Sequence, residues 1–200
     1  MRVIAGTYRS RVLKSLKGLA LRPTSDKLRE TLFNVLGPSV AGSRFIDLFA
    51  GTGAIGIEAF SRGAAEVVFV ENHPPAAALI RRNLESLDIR SGATVLAVDT
   101  LRGLEKLTSR QKTDSTGYDF VFLDPPYEAA KDYARVLEFL GSANLLAQGG
   151  IGIAEHRRSF DLPEEAGALR RYRVLKQGDV ALSFYRSAVG AAFSPSPSAL

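Results

Sequence analysis

Residues 47–58 read Asp-Leu-Phe-Ala-Gly-Thr-Gly-Ala-Ile-Gly-Ile-Glu, and this stretch decides the fold. A short apolar run precedes it and residues that favour a helix follow, which predicts a strand, a tight glycine turn and a helix. Gly51, Gly53 and Gly56 have the spacing G-x-G-x-x-G. Glycines in such a turn let the backbone approach a ligand, toward which the first N–H groups of the helix point. A turn that binds nothing is the alternative interpretation.

Asp47, at the carboxyl end of the predicted strand, indicates which of two classes of cofactor the glycine turn binds. The pyrophosphate of a dinucleotide is anionic and would be repelled by a carboxylate this close, whereas a ligand with an ammonium and a sulfonium would be attracted. S-adenosylmethionine is such a ligand. The pattern Asp-x-Phe-x-Gly-x-Gly is similar to the first motif of the Rossmann-like methyltransferases, so we predict S-adenosylmethionine as the cofactor.

Length and composition limit the class of protein. The 200 residues, 46% of them hydrophobic, suit one compact domain with a small appendage. The lack of a long apolar run or a signal-peptide core predicts a soluble, cytoplasmic protein with no membrane partner. The sequence has no cysteine, which excludes a disulfide framework, a thiolate metal site and methylation through a cysteine nucleophile. We expect no metal.

Positive charge is concentrated at the start of the chain. The first 34 residues hold eight basic and two acidic side chains, whereas the other 166 residues hold 18 and 19. The net charge of +5 therefore arises in the first sixth of the sequence. Such asymmetry predicts an anionic polymer as partner, with a solvated basic surface as the alternative.

The sequence before residue 44 predicts a small N-terminal arm. Residues 2–13 contain β-prone side chains around Gly6, which favours a short hairpin. After Pro23, a helix with Leu28 and Leu32 on one face is expected to end at Gly37. We assign residues 1–37 to this arm, residues 38–188 to the main domain, and residues 189–200, rich in Ser, Pro and Ala, to a disordered tail.

From residue 44 onward, strand and helix patterns alternate and then close in a hairpin. Strands are predicted at residues 45–48, 67–70, 94–98, 118–123 and 151–154, and helices at 54–62, 74–87, 100–108 and 131–140. Residues 109–117 are predicted to form a loop, and residues 170–176 and 180–185 to pair as two strands. This order predicts an α/β fold with a doubly wound, mostly parallel, seven-stranded sheet and an antiparallel C-terminal hairpin.

Each of the first four predicted strands ends in an acidic residue, in the order Asp47, Glu71, Asp99 and Asp124. Ligands of open α/β sheets bind outside the carboxyl ends of the strands, so these carboxylates should gather at one edge. Glu71 is placed to accept hydrogen bonds from ribose hydroxyls. An acid after a strand is also a common helix N-cap, and for Asp99 that interpretation is nearly as good.

Residues 124–127, Asp-Pro-Pro-Tyr, form the second motif and follow a predicted central strand. Two prolines make a rigid turn without N–H donors, so the Asp124 carboxylate and the Pro125 carbonyl can each accept one N–H of an exocyclic amine. These contacts localise the lone pair of the nitrogen and direct it at an electrophile. Tyr127 offers a ring face to a planar base. We predict that Asp124, Pro125, Pro126 and Tyr127 form a catalytic turn, with a surface proline turn as the alternative.

The two motifs together resemble the amino-group methyltransferases that use S-adenosylmethionine. Residues 2–11 (Arg-Val-Ile-Ala-Gly-Thr-Tyr-Arg-Ser-Arg), 21–36 (from Leu-Arg-Pro-Thr-Ser-Asp to Asn-Val-Leu) and 178–185 are similar to the RsmD family. The resemblance covers residues 2–186. It implies methylation of a guanine N2 amine in 16S rRNA, of the guanine-966 type. The implied partner is 16S rRNA or an assembling small ribosomal subunit, and we expect a monomer.

The resemblance also implies roles for individual residues. The first motif would bind the methionine part of the cofactor, Glu71 the ribose, and Asn72 and Asp99 would lie beside the adenine. Residues 124–127 would hold the target guanine. The cofactor-binding set is Asp47, Phe49, Gly51, Gly53, Glu71, Asn72 and Asp99. The RNA-binding set is Arg2, Arg9 and Arg11 on the hairpin, with Arg22, Thr24 and Arg29 near the mouth of the site.

Other functions are compatible with parts of the sequence. An NAD-dependent oxidoreductase could use the same glycines and Glu71, but Asp47 and residues 124–127 argue against it. Methylation of adenine N6 in DNA or RNA also uses Asp-Pro-Pro-Tyr, whereas the N-terminal motifs favour rRNA guanine. A non-catalytic RNA-binding protein of ribosome assembly would explain the basic arm and leave both motifs without a role.

Overall fold

The computed structural model describes residues 1–15, 24–114, 117–126 and 130–187. In these ranges the chain forms five α-helices, a short 3-10 helix at Gly37–Val40 and eight strands. The helices are α1 (Asp26–Leu36), α2 (Ala54–Ser61), α3 (Pro74–Ser86), α4 (Thr100–Asp114) and α5 (Ala130–Ser142). The strands are β1 (Arg44–Leu48), β2 (Glu66–Val70), β3 (Ala93–Leu96), β4 (Tyr118–Leu123), β5 (Leu146–Arg157), β6 (Glu165–Ala166), β7 (Leu169–Gln177) and β8 (Val180–Ser187).

All eight strands belong to one sheet with the order β3-β2-β1-β4-β5-β8-β7-β6. The first five strands are parallel, and β8, β7 and β6 continue the sheet in antiparallel pairs. The predicted doubly wound, mostly parallel sheet with a C-terminal hairpin is confirmed. It has eight strands instead of the predicted seven because β6 adds at the edge of the hairpin. A strand of two residues is too short to show the alternation of apolar and polar residues by which a strand is predicted.

Two elements are longer than predicted. Strand β5 begins at Leu146, although Gly149 interrupts the apolar pattern with φ of +78° and the register with β4 shifts nearby. Helix α4 extends through the predicted loop to Asp114. In its polar second half, the Thr108 and Ser109 hydroxyls donate to carbonyls one turn earlier, at 3.0 and 2.9 Å. The polar side chains are thereby accommodated within the helix.

The sheet separates two hydrophobic cores. On one face, α1, α2 and α3 pack against side chains such as Phe45, Phe120 and Phe184. On the other face, α4 and α5 pack against side chains such as Val121 and Tyr185. Because side chains alternate along a strand, neighbouring residues of each central strand contribute to opposite cores. Within the described ranges, no helix combines the length and apolar character needed to span a membrane.

The N-terminal residues 1–15 form a short antiparallel turn, as the hairpin prediction requires. Arg2 forms a bridge with Val12, and the Val3 amide donates to the Arg11 carbonyl at 3.0 Å. Val3 and Leu13 are buried in the same core as α1 and the sheet. The described part of the predicted arm therefore shares its core with the main domain. The predicted tail, residues 189–200, lies outside the described residues.

Glu58 on α2 holds this N-terminal turn in place. Its carboxylate is fully buried and accepts the backbone N–H groups of Ile4 and Ala5 at 2.8 and 3.0 Å. The same carboxylate pairs with Arg62 at 2.9 Å and lies 3.8 Å from the Arg29 guanidinium. One carboxylate on α2 therefore joins the N-terminal turn to α1 and α2.

Arg29 has a structural place, and its predicted contact with RNA is wrong. The side chain is 0% exposed, so an RNA strand has no access to it. Its guanidinium donates to the Arg2 carbonyl at 2.5 Å and to the Asp26 carboxylate at 2.9 Å. The resemblance that assigned Arg29 to the RNA-binding set rests on residue types and does not distinguish an exposed arginine from a buried one.

We expect Glu58→Ala to lower the free energy of unfolding by about 3–5 kcal/mol, because it leaves the Arg29 charge and two backbone N–H groups buried without this acceptor. Urea denaturation followed by circular dichroism measures the change. The matched control is Glu85→Ala, an exposed glutamate on α3, which should change stability by no more than about 0.5 kcal/mol. Equal stability losses in the two variants would contradict this role of Glu58.

Candidate active site at the carboxyl edge of the sheet

The candidate site lies where the central parallel strands end. Strand β1 lies between β2 and β4, and β4 lies between β1 and β5. Asp47 is at the end of β1, Glu71 directly follows β2, and Asp124 directly follows β4. The sheet therefore brings these three predicted carboxylates to one edge, at the position where open α/β sheets bind their ligands.

Two of these carboxylates hold the glycine loop between β1 and α2. Glu71 accepts the N–H of Gly51 at 2.8 Å and that of His73, just before α3, also at 2.8 Å. Asp47 accepts the N–H of Gly56 at 2.9 Å. Gly51 has a φ of 55°, a left-handed conformation that favours glycine. The loop is thus fixed at both ends by side chains that also face the ligand edge.

Burial and mutual repulsion disfavour the ionised form of the carboxyl groups at this edge. Burial, opposed by the hydrogen bond from Gly56 and reinforced by the Glu71 carboxylate, raises the pKa of Asp47 to about 8. Burial raises the pKa of Asp124 well above its usual range, and the Glu155 and Asp47 carboxylates add to the effect. A bound cation would relieve this repulsion. The ammonium and sulfonium of S-adenosylmethionine fit that requirement.

The remaining predicted cofactor residues flank the same edge. Asn72 is exposed between β2 and α3, and Phe49 is partly buried, with a positive φ of 57°. Asp99 caps α4, since its carboxylate accepts the N–H of Leu101 at 3.0 Å. The N-cap interpretation of Asp99 is therefore confirmed, while its contact with adenine stays a prediction.

The predicted catalytic turn is described as far as Pro126. Asp124 is partly buried, Pro125 is buried and Pro126 is exposed. Tyr127 and the predicted RNA contact Arg22 lie outside the described residues. Thr24 is brought to the site, because its hydroxyl donates to the Glu155 carboxylate at 2.7 Å.

Glu155 is a site residue that the sequence analysis missed. It lies near the end of β5 and is 5% exposed. The signal was present, since Glu155 follows the apolar residues 151–154 just as the other acids follow their strands. The next residue, His156, is buried, with its ring nitrogens 2.9 Å from the Ser183 hydroxyl and the Arg157 carbonyl. Burial lowers the pKa of His156, so the ring is a neutral structural group.

The predicted RNA-binding residues of the N-terminal turn are accessible. Arg2, Arg9 and Arg11 are all exposed. The turn also reaches the glycine loop through Asn83 on α3, whose amide donates to the Thr52 carbonyl at 3.1 Å and to the Lys14 carbonyl at 3.2 Å. The Lys14 end of the turn is therefore tied to the glycine loop, whereas its tip packs at the C-terminal end of α2, where the Thr7 amide donates to the Ser61 carbonyl at 2.8 Å. In the described part of the chain, no group of three or more His, Cys, Asp and Glu side chains is arranged to hold a metal ion.

The glycine loop, the acidic strand ends and the mostly parallel sheet define a Rossmann-like methyltransferase. A solved structure described as "Putative methyltransferase yhhF from Escherichia coli" has this fold, with a TM-score of 0.78 at 27% sequence identity. The match covers 94% of this chain and 97% of that structure.

A family model described as "Conserved hypothetical protein 95" matches residues 1–186, and the chain belongs to this family, which confirms the resemblance to the RsmD family. The relative named "Putative rRNA methyltransferase YlbH" from Bacillus subtilis is 38% identical over 186 residues, covering 93% of this chain and 98% of the relative. The "Ribosomal RNA small subunit methyltransferase D" of Escherichia coli K12 is 30% identical over 186 residues, covering 93% and 89%.

The raised pKa of Asp47 predicts pH-dependent cofactor binding. A cationic ligand favours the ionised carboxylate, so binding below about pH 8 must release a proton. We expect the affinity for S-adenosylmethionine to rise from pH 6 to pH 8, by up to about tenfold per pH unit for each proton released, and then to level off. Asp47→Asn should bind more weakly and reduce the slope. Calorimetry across this range tests the prediction, and a wild-type affinity that falls or stays constant as pH rises would contradict it.

Proposed function

We propose that this protein methylates the N2 amine of a guanine in 16S rRNA, of the guanine-966 type, with S-adenosylmethionine as methyl donor. Family membership makes it an rRNA methyltransferase. The observation that carries the proposal is the pair of acidic residues at neighbouring strand ends beside the glycine loop, the buried Asp47 and the partly buried Asp124, which raise each other's cost of ionisation. Asp47 is suited to bind a cationic cofactor, and Asp124 is suited to bind an amine. We infer that the protein acts as a monomer in the cytoplasm, on rRNA or on an assembling small subunit.

The glycine-loop side of the edge would bind the cofactor. When bound, S-adenosylmethionine supplies an activated methyl group on its sulfonium. Asp47 is placed to attract the ammonium of its methionine part. Glu71 already accepts two backbone N–H groups, and an ionised carboxylate keeps lone pairs for ribose hydroxyls. Asn72 and Asp99 would lie beside the adenine, and Phe49 would bind with the rest of the first motif.

The turn after β4 would orient the amine. The Asp124 carboxylate and the Pro125 carbonyl each accept one N–H, which leaves the nitrogen lone pair directed at the methyl group. The amine needs this help because its lone pair is otherwise delocalised into the base. Asp124 can accept the proton that leaves the nitrogen, and its raised pKa favours that role. No covalent bond to the protein is required.

The N-terminal turn would bind the RNA backbone. Phosphate contacts supply most of the affinity of a nucleic-acid-binding protein, and Arg2, Arg9 and Arg11 are exposed cations on a turn whose Lys14 end is hydrogen-bonded through Asn83 to the glycine loop. A target guanine removed from its stack could then reach the sheet edge while its neighbours stay bound to these arginines.

Replacing Asp124 should separate chemistry from cofactor binding. We expect Asp124→Ala to lower the rate of methyl transfer by at least about a hundredfold with cofactor affinity near normal, because the lost contact acts mainly in the transition state. Asp124→Asn should retain more activity, since its amide oxygen still accepts one N–H. Single-turnover transfer of labelled methyl groups to 16S rRNA gives the rate.

The control for this experiment is Glu138→Ala, which removes an exposed carboxylate on α5 and should transfer methyl groups at the wild-type rate. If Asp124→Ala were equally fast, the proline turn would be structural and the proposed chemistry wrong.

Arg9→Ala combined with Arg11→Ala should weaken RNA binding and leave cofactor affinity unchanged. Fewer phosphate contacts release fewer counterions, so the slope of log affinity against log salt should flatten by up to about one to two units. Stability should change little because both side chains are exposed. The charge-matched control combines Arg90→Ala and Arg135→Ala, whose side chains are 87% and 64% exposed. An unchanged slope in the first double variant would place the RNA-binding surface elsewhere, for example on the basic strand β7.

A further inference from the structure

Glu155 is a buried carboxylate next to the catalytic turn, and the reaction above gives it no task. In the pairing of β4 with β5, Leu123 is level with Ala154, so Asp124 and Glu155 are the next residues on the two strands. Neighbouring strands lie about 5 Å apart. Leu123 and Ala154 pack in the core of α4 and α5, and alternation turns the next residues toward the opposite face, which α1 covers. The two carboxylates therefore share one side of the site.

Hydrogen bonds from two different elements hold Glu155, and its neighbour on β5 is held by another. Thr24, just before α1, donates its hydroxyl to the Glu155 carboxylate at 2.7 Å. Tyr133 on α5 donates its hydroxyl to the Glu155 backbone carbonyl at 2.6 Å. The next residue along β5, His156, is bound to Ser183 on β8. A carboxylate held this firmly is suited to recognise a ligand by geometry.

The Watson–Crick edges of guanine and adenine differ where they would meet these carboxylates. Guanine presents N1–H beside its N2 amine, which makes a continuous row of donors. Adenine presents the N1 lone pair beside its N6 amine. An ionised carboxylate only accepts hydrogen bonds, so a row of donors suits two neighbouring carboxylates, and a lone pair opposite one of them is repelled.

We propose that Glu155 accepts the N1–H of the target guanine while Asp124 accepts an N–H of its N2 amine, so that Glu155 selects guanine over adenine. This inference rests on the proposed function. Glu155 reads the base and takes no part in the proton transfer, and Thr24 is a positioning residue that orients its carboxylate.

The test compares two target bases in otherwise identical RNA fragments. One fragment carries guanosine and the other carries the ribonucleoside of 2-aminopurine, which keeps the reacting amine but has a lone pair instead of N1–H. For the wild type, we expect kcat/KM to be about 10- to 100-fold higher with guanosine, the range for one lost base contact.

Glu155→Gln should reverse this preference. In the variant the Thr24 hydroxyl can keep donating to the amide oxygen, as it does to the carboxylate oxygen of Glu155, and this pairing turns the amide NH2 toward the base. That NH2 opposes the N1–H of guanine but donates to the N1 lone pair of 2-aminopurine. We expect kcat/KM for guanosine to fall at least about tenfold, with no loss for 2-aminopurine. Thr24→Val removes the orienting hydroxyl and should weaken the preference of the wild-type carboxylate.

The affinity of the variant for the cofactor and the activity of the wild type on the two fragments distinguish the possible results. Unchanged affinity of Glu155→Gln for S-adenosylmethionine shows that the variant is folded and that the defect lies at the base. An equal fall in kcat/KM for both RNA fragments would mean that Glu155 only supports the structure, which overturns the inference. A wild-type protein that methylates neither fragment, or a base other than the target, would instead refute the proposed function.

Discussion

Asp47 and Glu71 form hydrogen bonds with the backbone of the glycine loop, and the rest of the site depends on these bonds. Burying two carboxylates side by side is costly, and three backbone N–H groups offset only part of that cost. The raised pKa of Asp47 reflects the part of this cost that the hydrogen bonds do not offset. A cation bound above the loop would offset the remaining cost. The contacts that shape the loop therefore also favour a positively charged ligand.

Single side chains that make several hydrogen bonds also join the N-terminal turn to the rest of the protein. Glu58 holds the backbone of Ile4 and Ala5, and Asn83 links the turn to the glycine loop through Thr52. Thr24 then connects the chain before α1 to Glu155. A basic surface built in this way keeps a fixed distance from the catalytic turn. That arrangement suits an enzyme that binds its substrate through the backbone phosphates and acts on a single base.

The sequence predicted the site best where a local rule applies. Asp47, Glu71 and Asp124 were found because parallel strands end at one edge, a consequence of the fold class alone. Glu155 obeys the same rule, because it follows the predicted strand at residues 151–154, but the rule was applied only to the first four strands. Arg29 was misassigned because a resemblance in residue types contains no information on burial, and its partner Glu58 is distant in sequence. Strand β6 exists only through its pairing with β7.

The most direct test of the central claim is the nucleoside composition of 16S rRNA from cells with and without this gene, measured by mass spectrometry. Recognition of the guanine N2 amine by Asp124 and of the guanine N1–H by Glu155 predicts that N2-methylguanosine is lost from one position when the gene is deleted. Adding the purified protein and S-adenosylmethionine to that rRNA should restore it. An unchanged N2-methylguanosine content, or the loss of a methylated adenosine instead, would contradict this account.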